Sequence, residues 1–381
     1  MKRVDTTALT TSMAGTARNV IVHRYQGRAT HGQRGKAYIQ ASLHADELPG
    51  MIAAHHLIRR LDALDHAGRI RGDIVVVPMA NPIGLDQWVI DRPLGRFSLS
   101  GCGNFNRGFP DLTDATAALI DGRLSSDPAD NIRIVRDALC AVVAAIDPIS
   151  EVDGLRKLLL SLAIDADLVL DLHCDDIALP HLYTGTALWP RARPLAARLG
   201  MPVALLAADS GGGPFDEACS KPWWLLGQRF ADQGPIPPAC LATTVELRGL
   251  SEVEDDLGAA DADAIIGFLA DEGMVDLTVP PSPQGPEATP LSGVDLIASP
   301  AAGLIAYKVN LGDWVAAGET IAELIDPLAE DQSHARTPIN SGTDGLVFAI
   351  ASHRFVRAGD IIGKVAGALP LSHRVGPLLT D

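Results

Sequence analysis

Long apolar runs, paired cysteines and clusters of basic residues are all missing from this 381-residue chain. Each absence narrows what it can be. The longest apolar stretch, near Ala138 to Ile146, is far too short to span a bilayer. The five cysteines (Cys102, Cys140, Cys174, Cys219, Cys240) are scattered, odd in number and never in a C-x-x-C pair. That spacing excludes a structural zinc knot and argues against a disulfide framework. Lys and Arg number 31 against 47 Asp and Glu, a net charge of −16, and no Lys/Arg run offsets it locally. Phosphate backbones and anionic membrane surfaces are therefore disfavoured, so neither nucleic acid nor a membrane is expected as a partner. The opening Met1-Lys2-Arg3-Val4-Asp5-Thr6-Thr7 carries no apolar segment behind its basic residues, unlike a secretory signal. The expectation is a cytoplasmic protein with reduced thiols; association into a homo-oligomer is left open.

What the chain does contain is a loop-rich globular composition, with 20% charged residues, 36 Gly and 26 Pro. Its length suffices for two or three domains with sizeable cores. Ala37–Ala41, Asp73–Pro78, Asp167–Leu172 and Ala242–Leu247 read as strands. Pro49–Leu64, Asp130–Ile146 and Leu155–Ala163 read as helices, the first with Pro in its opening turn. This alternation predicts an α/β domain whose sheet is covered by helices on both faces. Between Pro280 and Pro290, five prolines occur in eleven residues, a composition that suits a linker. Beyond it, Gly303-Leu304-Ile305 with Gly312-Asp313 is echoed by Gly345-Leu346-Val347 with Gly359-Asp360. Two copies of a short β unit with a Gly-Asp turn predict a small two-fold barrel or sandwich. The expected organisation is a catalytic domain over 1–280, a Pro-rich linker over 281–290 and a C-terminal β domain over 291–381.

Four segments carry chemistry. His44 and Glu47 have the His-x-x-Glu spacing directly after a predicted strand; alone this is an ordinary solvated loop, but imidazole plus carboxylate suits Zn²⁺. His173 follows the buried run Leu168–Leu172, at the strand end where open α/β sheets place their sites. With it the set becomes His₂Glu, which leaves a coordination position open. Asp171, two residues earlier, is a candidate to orient a ligand, on only approximately the same face. Glu246 lies late in the apolar run Thr243–Leu247 beside Arg248; an edge salt bridge is the plain alternative to a general base. Asn106-Arg107, flanked by Gly103 and Gly108, can present a guanidinium fork to a carboxylate.

In that order, His44-x-x-Glu47, Asn106-Arg107, Leu172-His173 and Thr244-Val245-Glu246-Leu247 resemble the succinylglutamate desuccinylase/aspartoacylase family of the zinc carboxypeptidase superfamily. The resemblance covers residues from about 35 to 265, and extends to 366 if the small β domain is included. It implies a zinc-carboxypeptidase-like mixed sheet flanked by helices and followed by a small barrel-sandwich-like domain. It also implies one Zn²⁺ per chain on His44, Glu47 and His173, with Glu246 as general base and then acid. Asn106 and Arg107 match the pair that holds the substrate carboxylate and polarised carbonyl. The implied activity is hydrolysis of the amide of a small N-acyl amino acid by water activated on zinc. The C-terminal unit resembles the biotinyl/lipoyl fold, yet Ile325 to Gly345 contains no lysine, so a carrier role is not implied.

Pro49-Gly50-Met51, Asn81-Pro82-Ile83-Gly84-Leu85 and His173-Cys174-Asp175 look closer to the branch that deacetylates N-acetyl-2,4-diaminobutyrate in ectoine breakdown. Its substrate carries a free amine, for which Asp175 or Asp176 is the candidate partner. The competing reading is a zinc carboxypeptidase acting on peptides, and a distant third is a binding module without activity. Cys174 is rejected as a fourth ligand, because a closed site could not hydrolyse. His55-His56 is assigned to the surface or core of a helix, Trp223-Trp224 to a core anchor, and Gly211-Gly212-Gly213-Pro214 to a flexible loop beside the site.

Overall fold

A computed structural model describes residues 1–9, 14–28 and 35–379. The expected core strands form a nine-stranded mixed sheet. Its strands are β1 (Lys2–Ala8), β2 (Asn19–Tyr25), β3 (Lys36–Ala41), β4 (Asp73–Val77), β5 (Leu168–Asp175), β6 (His181–Gly185), β7 (Val203–Ala207), β8 (Leu241–Gly249) and β9 (Ala288–Pro290). Their order across the sheet is β1-β2-β4-β3-β5-β8-β6-β7-β9. The central β4-β3-β5-β8 block is parallel, while β6 runs antiparallel to β8. Residues 279–287 carry no regular element, and Ala288–Pro290 then pairs with β7 at the sheet edge. A proline is tolerated there because an edge needs no ladder donor on its outer side.

Alternation along the strands sorts side chains onto two faces. Leu168, Leu170 and Leu172 pack under α1 (Pro49–His66), α5 (Trp189–Arg198) and α7 (Asp255–Asp271). Val169 and Ala242 face α2 (Thr113–Ile120), α3 (Pro128–Ala144), α4 (Glu151–Ala163) and α6 (Phe215–Arg229). Local sequence starts these helices. Pro49 and Pro128 sit in first turns, and Ser150 Oγ caps α4 by accepting from the Asp153 amide at 3.0 Å. His55 is exposed whereas His56 and Trp223 are buried, and His56 Nε2 meets Asp255 at 2.9 Å.

The C-terminal strands are β10 (Val294–Ala298), β11 (Gly303–Tyr307), β12 (Thr320–Ile325), β13 (Arg336–Asn340), β14 (Gly345–Ile350) and β15 (Ile361–Gly367). They form two small sheets around one apolar cluster that includes Ile305, Ile321, Val347 and Val365. The internal repeat is real in three dimensions. Gly312 and Gly359 both adopt positive φ (91° and 86°), and Asp313 and Asp360 each accept the amide three residues back at 2.8 Å. Only glycine enters that backbone region without strain, which is why the two turns share it. One strand of this unit's larger sheet comes from the main body: Ile177–Ala178 pairs with β14. Lys364 on β15 then reaches across to ion-pair with Asp175 at the end of β5.

Two expected outcomes follow from that junction. Lys364→Met strands Asp175, and urea unfolding should show a loss of about 2 kcal/mol, lower than for a fully buried pair because both side chains keep some solvent. His181, fully buried with Nδ1 donating to the Leu179 carbonyl at 2.8 Å, is held by burial down to about 4 from 6.5. The unfolded chain therefore binds the extra proton between those pH values. Stability is complete above pH 6.5 and falls as pH drops toward 4, by up to about 3 kcal/mol; His181→Asn should flatten that part of the curve.

Candidate metal centre and active site

Two strand ends and one helix start meet at the carboxyl edge of the parallel block. β3 ends at Ala41, and Ser42 turns the chain with φ 64°, a strained conformation for a residue with a Cβ. The loop then folds tightly, the Glu47 amide donating to the His44 carbonyl at 3.1 Å. Asn81 Nδ2 holds it from below through the Leu43 carbonyl at 2.8 Å. α1 begins two residues after Glu47 and lies so close to β5 that a Cβ on Gly50 would stand 2.9 Å from the Leu172 carbonyl oxygen. Glycine is needed there for the helix to bring Glu47 beside His173.

The sequence-predicted triad converges. His44 Nδ1 lies 2.8 Å from Glu47 Oε1, and His173 Nδ1 lies 2.7 Å from Glu47 Oε2. One ligand atom from each residue falls within 4.8 Å of the others, and all three residues are buried. The outward nitrogens are held by acceptors: His44 Nε2 is 2.8 Å from Asn104 Oδ1, and His173 Nε2 is 3.0 Å from Asp171 Oδ2. The Asn104 acceptor favours a proton on His44 Nε2, which leaves its Nδ1 lone pair directed at the carboxylate, while His173 Nε2 lies between the Asp171 carboxylate oxygen and the Asn106 amide. Lone pairs facing an anion repel unless a cation sits between them. The donor set therefore fits a divalent metal such as zinc.

Electrostatics agree. Burial pulls the His173 imidazole down, but Asp171 and Glu47 outweigh it and hold it well above its ordinary range. Burial likewise opposes ionisation of Glu47, yet His44 and His173 keep it well below the usual carboxylate range. Positive charge is thus favoured at His173, while burial holds the His44 imidazole below its ordinary range. Asp171 is itself fixed by a buried relay in which Gln40 Nε2 donates to its Oδ1 and Tyr38 donates to Gln40 Oε1, each at 2.8 Å. It shares a face with His173 more fully than the sequence alone suggested, since residues two apart on a strand point the same way.

Glu246 pairs in register with His173 across β8 and β5, so its side chain enters the same cavity. It makes no salt bridge with Arg248; that arginine turns away with φ 65° and pairs with Asp261. Glu246 Oε2 has no hydrogen-bond partner, and burial followed by the Glu47 charge pushes its carboxyl up to about 8. Asn106 stands 3.3 Å from His173 Nε2 through Nδ2, while its Oδ1 accepts the Phe215 amide at 2.9 Å. Arg107 lines the same cavity, its Nη1 bonded to the Asn106 carbonyl at 2.7 Å. The glycine loop supports this segment: the amides of Gly108 and Phe109 donate to the carbonyls of Gly212 and Gly213 at 2.8 and 2.9 Å.

Five of the six sequence-predicted residues thus line one cavity of about 360 Å³, and Glu47 lies buried behind the two histidines. Two expectations for a substrate amine need correcting. Asp175 is engaged by Lys364, and Asp176 Oδ2 accepts the Ser352 amide at 2.7 Å. Both carboxylates are thus engaged by the C-terminal unit, Asp175 through an ion pair and Asp176 through one oxygen. Cys174 is not a ligand; its amide donates to Glu47 Oε2 at 3.1 Å and its buried thiol is pushed far up. Sequence reading missed Asn104 and Arg96, whose Nη1 reaches Glu47 Oε1 at 3.1 Å. The only sequence trace of Asn104 was its place two residues before Asn106 in an already suspect loop.

Comparison with known proteins agrees with this arrangement. The sequence model of the succinylglutamate desuccinylase/aspartoacylase catalytic domain matches residues 33–129. A Shewanella amazonensis protein described as of that family is 26% identical, with a TM-score of 0.85 over 96% of this chain and 98% of its own. A Shewanella frigidimarina protein of the same description is 25% identical, with a TM-score of 0.86 over 97% and 99%. Residues 33–129 thus match that family's catalytic-domain model, and the fold of the chain is that of proteins described as of the family. The family's fold also appears in the product-bound ectoine utilization protein of Ruegeria pomeroyi, at 16% identity and a TM-score of 0.68 over 96% of this chain and 95% of that one. Curated proteins contain no match to the chain. Similarity to the catalytic domain of a deacylating family supports an enzyme. No helix among the described residues is long and apolar enough to cross a membrane.

The ligand assignment has a direct check. Elemental analysis of zinc-reconstituted protein should give about one metal per chain, lost in His173→Ala. Asp171→Asn should keep the stoichiometry at excess metal but weaken affinity by about 10- to 100-fold, because it only orients and polarises a ligand.

Proposed function

We propose that the chain is a zinc-dependent deacylase that hydrolyses the amide of a small N-acyl amino acid. The observation that carries this reading is the pair of Nδ1 atoms turned onto the two oxygens of Glu47, with an unpartnered carboxyl, Glu246, in the same cavity. His44, Glu47 and His173 would hold the ion. Zn²⁺ bound there would supply Lewis acidity, polarising the acyl carbonyl and making a water acidic enough to attack near neutral pH.

The remaining roles belong to side chains. Glu246 takes the proton of the attacking water and returns it to the departing nitrogen; a carboxyl raised to about 8 in the protein alone exchanges protons readily near neutrality. Arg107 and Asn106 orient the substrate through its carboxylate and carbonyl oxygen. Arg96, which reaches the same ligands from an exposed loop, is a second guanidinium able to meet an anionic group. The balance is that of hydrolysis: water adds to the acyl carbon, the C–N bond breaks, and a carboxylate and an amine leave.

A peptide-trimming carboxypeptidase is less well supported. The C-terminal unit walls the cavity through Leu291, Val294, Leu296 and Lys364, which leaves little room for a long chain. The N-acetyl-2,4-diaminobutyrate reading loses the carboxylates first suggested for its amine and stands on sequence resemblance.

Glu246→Gln tests the mechanism. With zinc content unchanged, kcat on a turned-over N-acyl amino acid should fall by about 10²–10⁴-fold with KM little altered. Retention of more than a tenth of the rate would remove Glu246 from the proton transfer.

A further inference from the structure

The cavity does not end at the metal ligands. It runs along the sheet face from β5 to β7, since His173, Glu246, Tyr183 and Leu205 all line it. Register explains the continuity. His173 is opposite Glu246, Thr244 is opposite Tyr183, and Tyr183 is opposite Leu205, with Thr244 two residues before Glu246 on the same face. At roughly 4.8 Å per strand, Leu205 stands about 14 Å from His173.

Polarity changes along that path. The inner end holds His44, His173, Glu246, Asn106 and Arg107. The outer end is walled by Tyr183, Leu205, Val294, Leu296, Leu378 and Leu379, which belong to one apolar cluster. The last two come from the C-terminal tail, held over the site by two bonds: the amides of Leu378 and Leu379 both donate to the Ser210 carbonyl, at 2.8 and 2.9 Å. Arg374 Nη2 fixes the same strap through the Leu378 carbonyl at 2.9 Å. Of the charged groups on the outer wall, Lys364 pairs with Asp175, and Arg374 gives Nη2 to the tail while its Nε has no hydrogen-bond partner among the described residues. Glu217, on the helix side, accepts the Ser210 amide through Oε1 at 2.7 Å, and its Oε2 is likewise unpartnered among the described residues.

We infer that the outer half of the cavity is a binding subsite for an apolar group, so that the preferred substrates are N-acyl amino acids carrying a hydrocarbon chain rather than a second charge. This rests on the deacylase reading and specifies its substrate class. The hydrocarbon could belong to the acyl group or to the amino-acid side chain, and the shared chemistry is burial of methylenes against Leu205 and the tail leucines.

Zinc-loaded full-length protein would be assayed on two series. One lengthens the acyl group on glycine from acetyl through butyryl to hexanoyl; the other lengthens the side chain of N-acetyl amino acids from glycine through norvaline to norleucine. N-acetylaspartate and N-acetyl-2,4-diaminobutyrate serve as charged comparisons. In one series kcat/KM should rise by about fourfold per methylene and exceed both charged substrates, and the rising series identifies which group enters the subsite. Leu379→Asn should flatten that rise. Calorimetry with zinc-loaded Glu246→Gln, in which chemistry is blocked, should show the same order of affinities and the same flattening in the double variant. Cleavage of charged substrates with both series flat overturns the apolar subsite and leaves the deacylase intact. Failure to cleave any N-acyl amino acid, with zinc bound, overturns both.

Discussion

The two oxygens of Glu47 hold this site together. Each faces the Nδ1 of one histidine, one from the same loop and one from a strand 126 residues away. A buried carboxylate between two imidazoles is stable only with positive charge at the centre. That requirement ties the loop after β3 to the end of β5 and makes the first turn of α1 press onto the sheet at Gly50. Ser42 and Arg248, both at positive φ beside the site, mark where the backbone gives up local comfort to keep these groups in place.

Around that centre, neutral and charged groups orient each ring. Asn104 takes one outward nitrogen and Asp171 the other. Asp171 is in turn fixed through Gln40 and Tyr38 in the interior of the sheet. The chain therefore invests several buried polar residues in orientation, and such relays persist only when every member has a partner. Glu246 keeps an oxygen with no hydrogen-bond partner among the described residues, and it faces the cavity. A buried, unpartnered carboxyl facing a cavity suits a group reserved for a ligand or a proton.

The C-terminal unit is more than an appendage. It lends a sheet that accepts Ile177–Ala178 as an edge strand, anchors itself through Lys364 to Asp175, and seals the cavity with aliphatic side chains. The lysine that a biotinyl or lipoyl carrier would expose on a hairpin is absent, and Lys364 instead faces the catalytic sheet. The β unit instead forms a wall: alternation on β10 and β15 places Val294, Leu296 and Lys364 on one surface.

What the sequence determined by itself was the set of local patterns. The His44-x-x-Glu47 spacing, the buried run into His173, the late carboxylate at Glu246 and the doubled Gly-Asp turns are all properties of a few neighbouring residues. Helix starts at Pro49 and Pro128 belong with them, because capping and φ restriction act within one turn. Tertiary structure alone decided the partners. Arg96 at Glu47, Asn104 at His44, Lys364 at Asp175 and the tail leucines beside Leu205 join residues from 49 to 189 positions apart or from opposite ends of the chain. Such contacts depend on strand order and register, and no local spacing encodes which strand lies next to which.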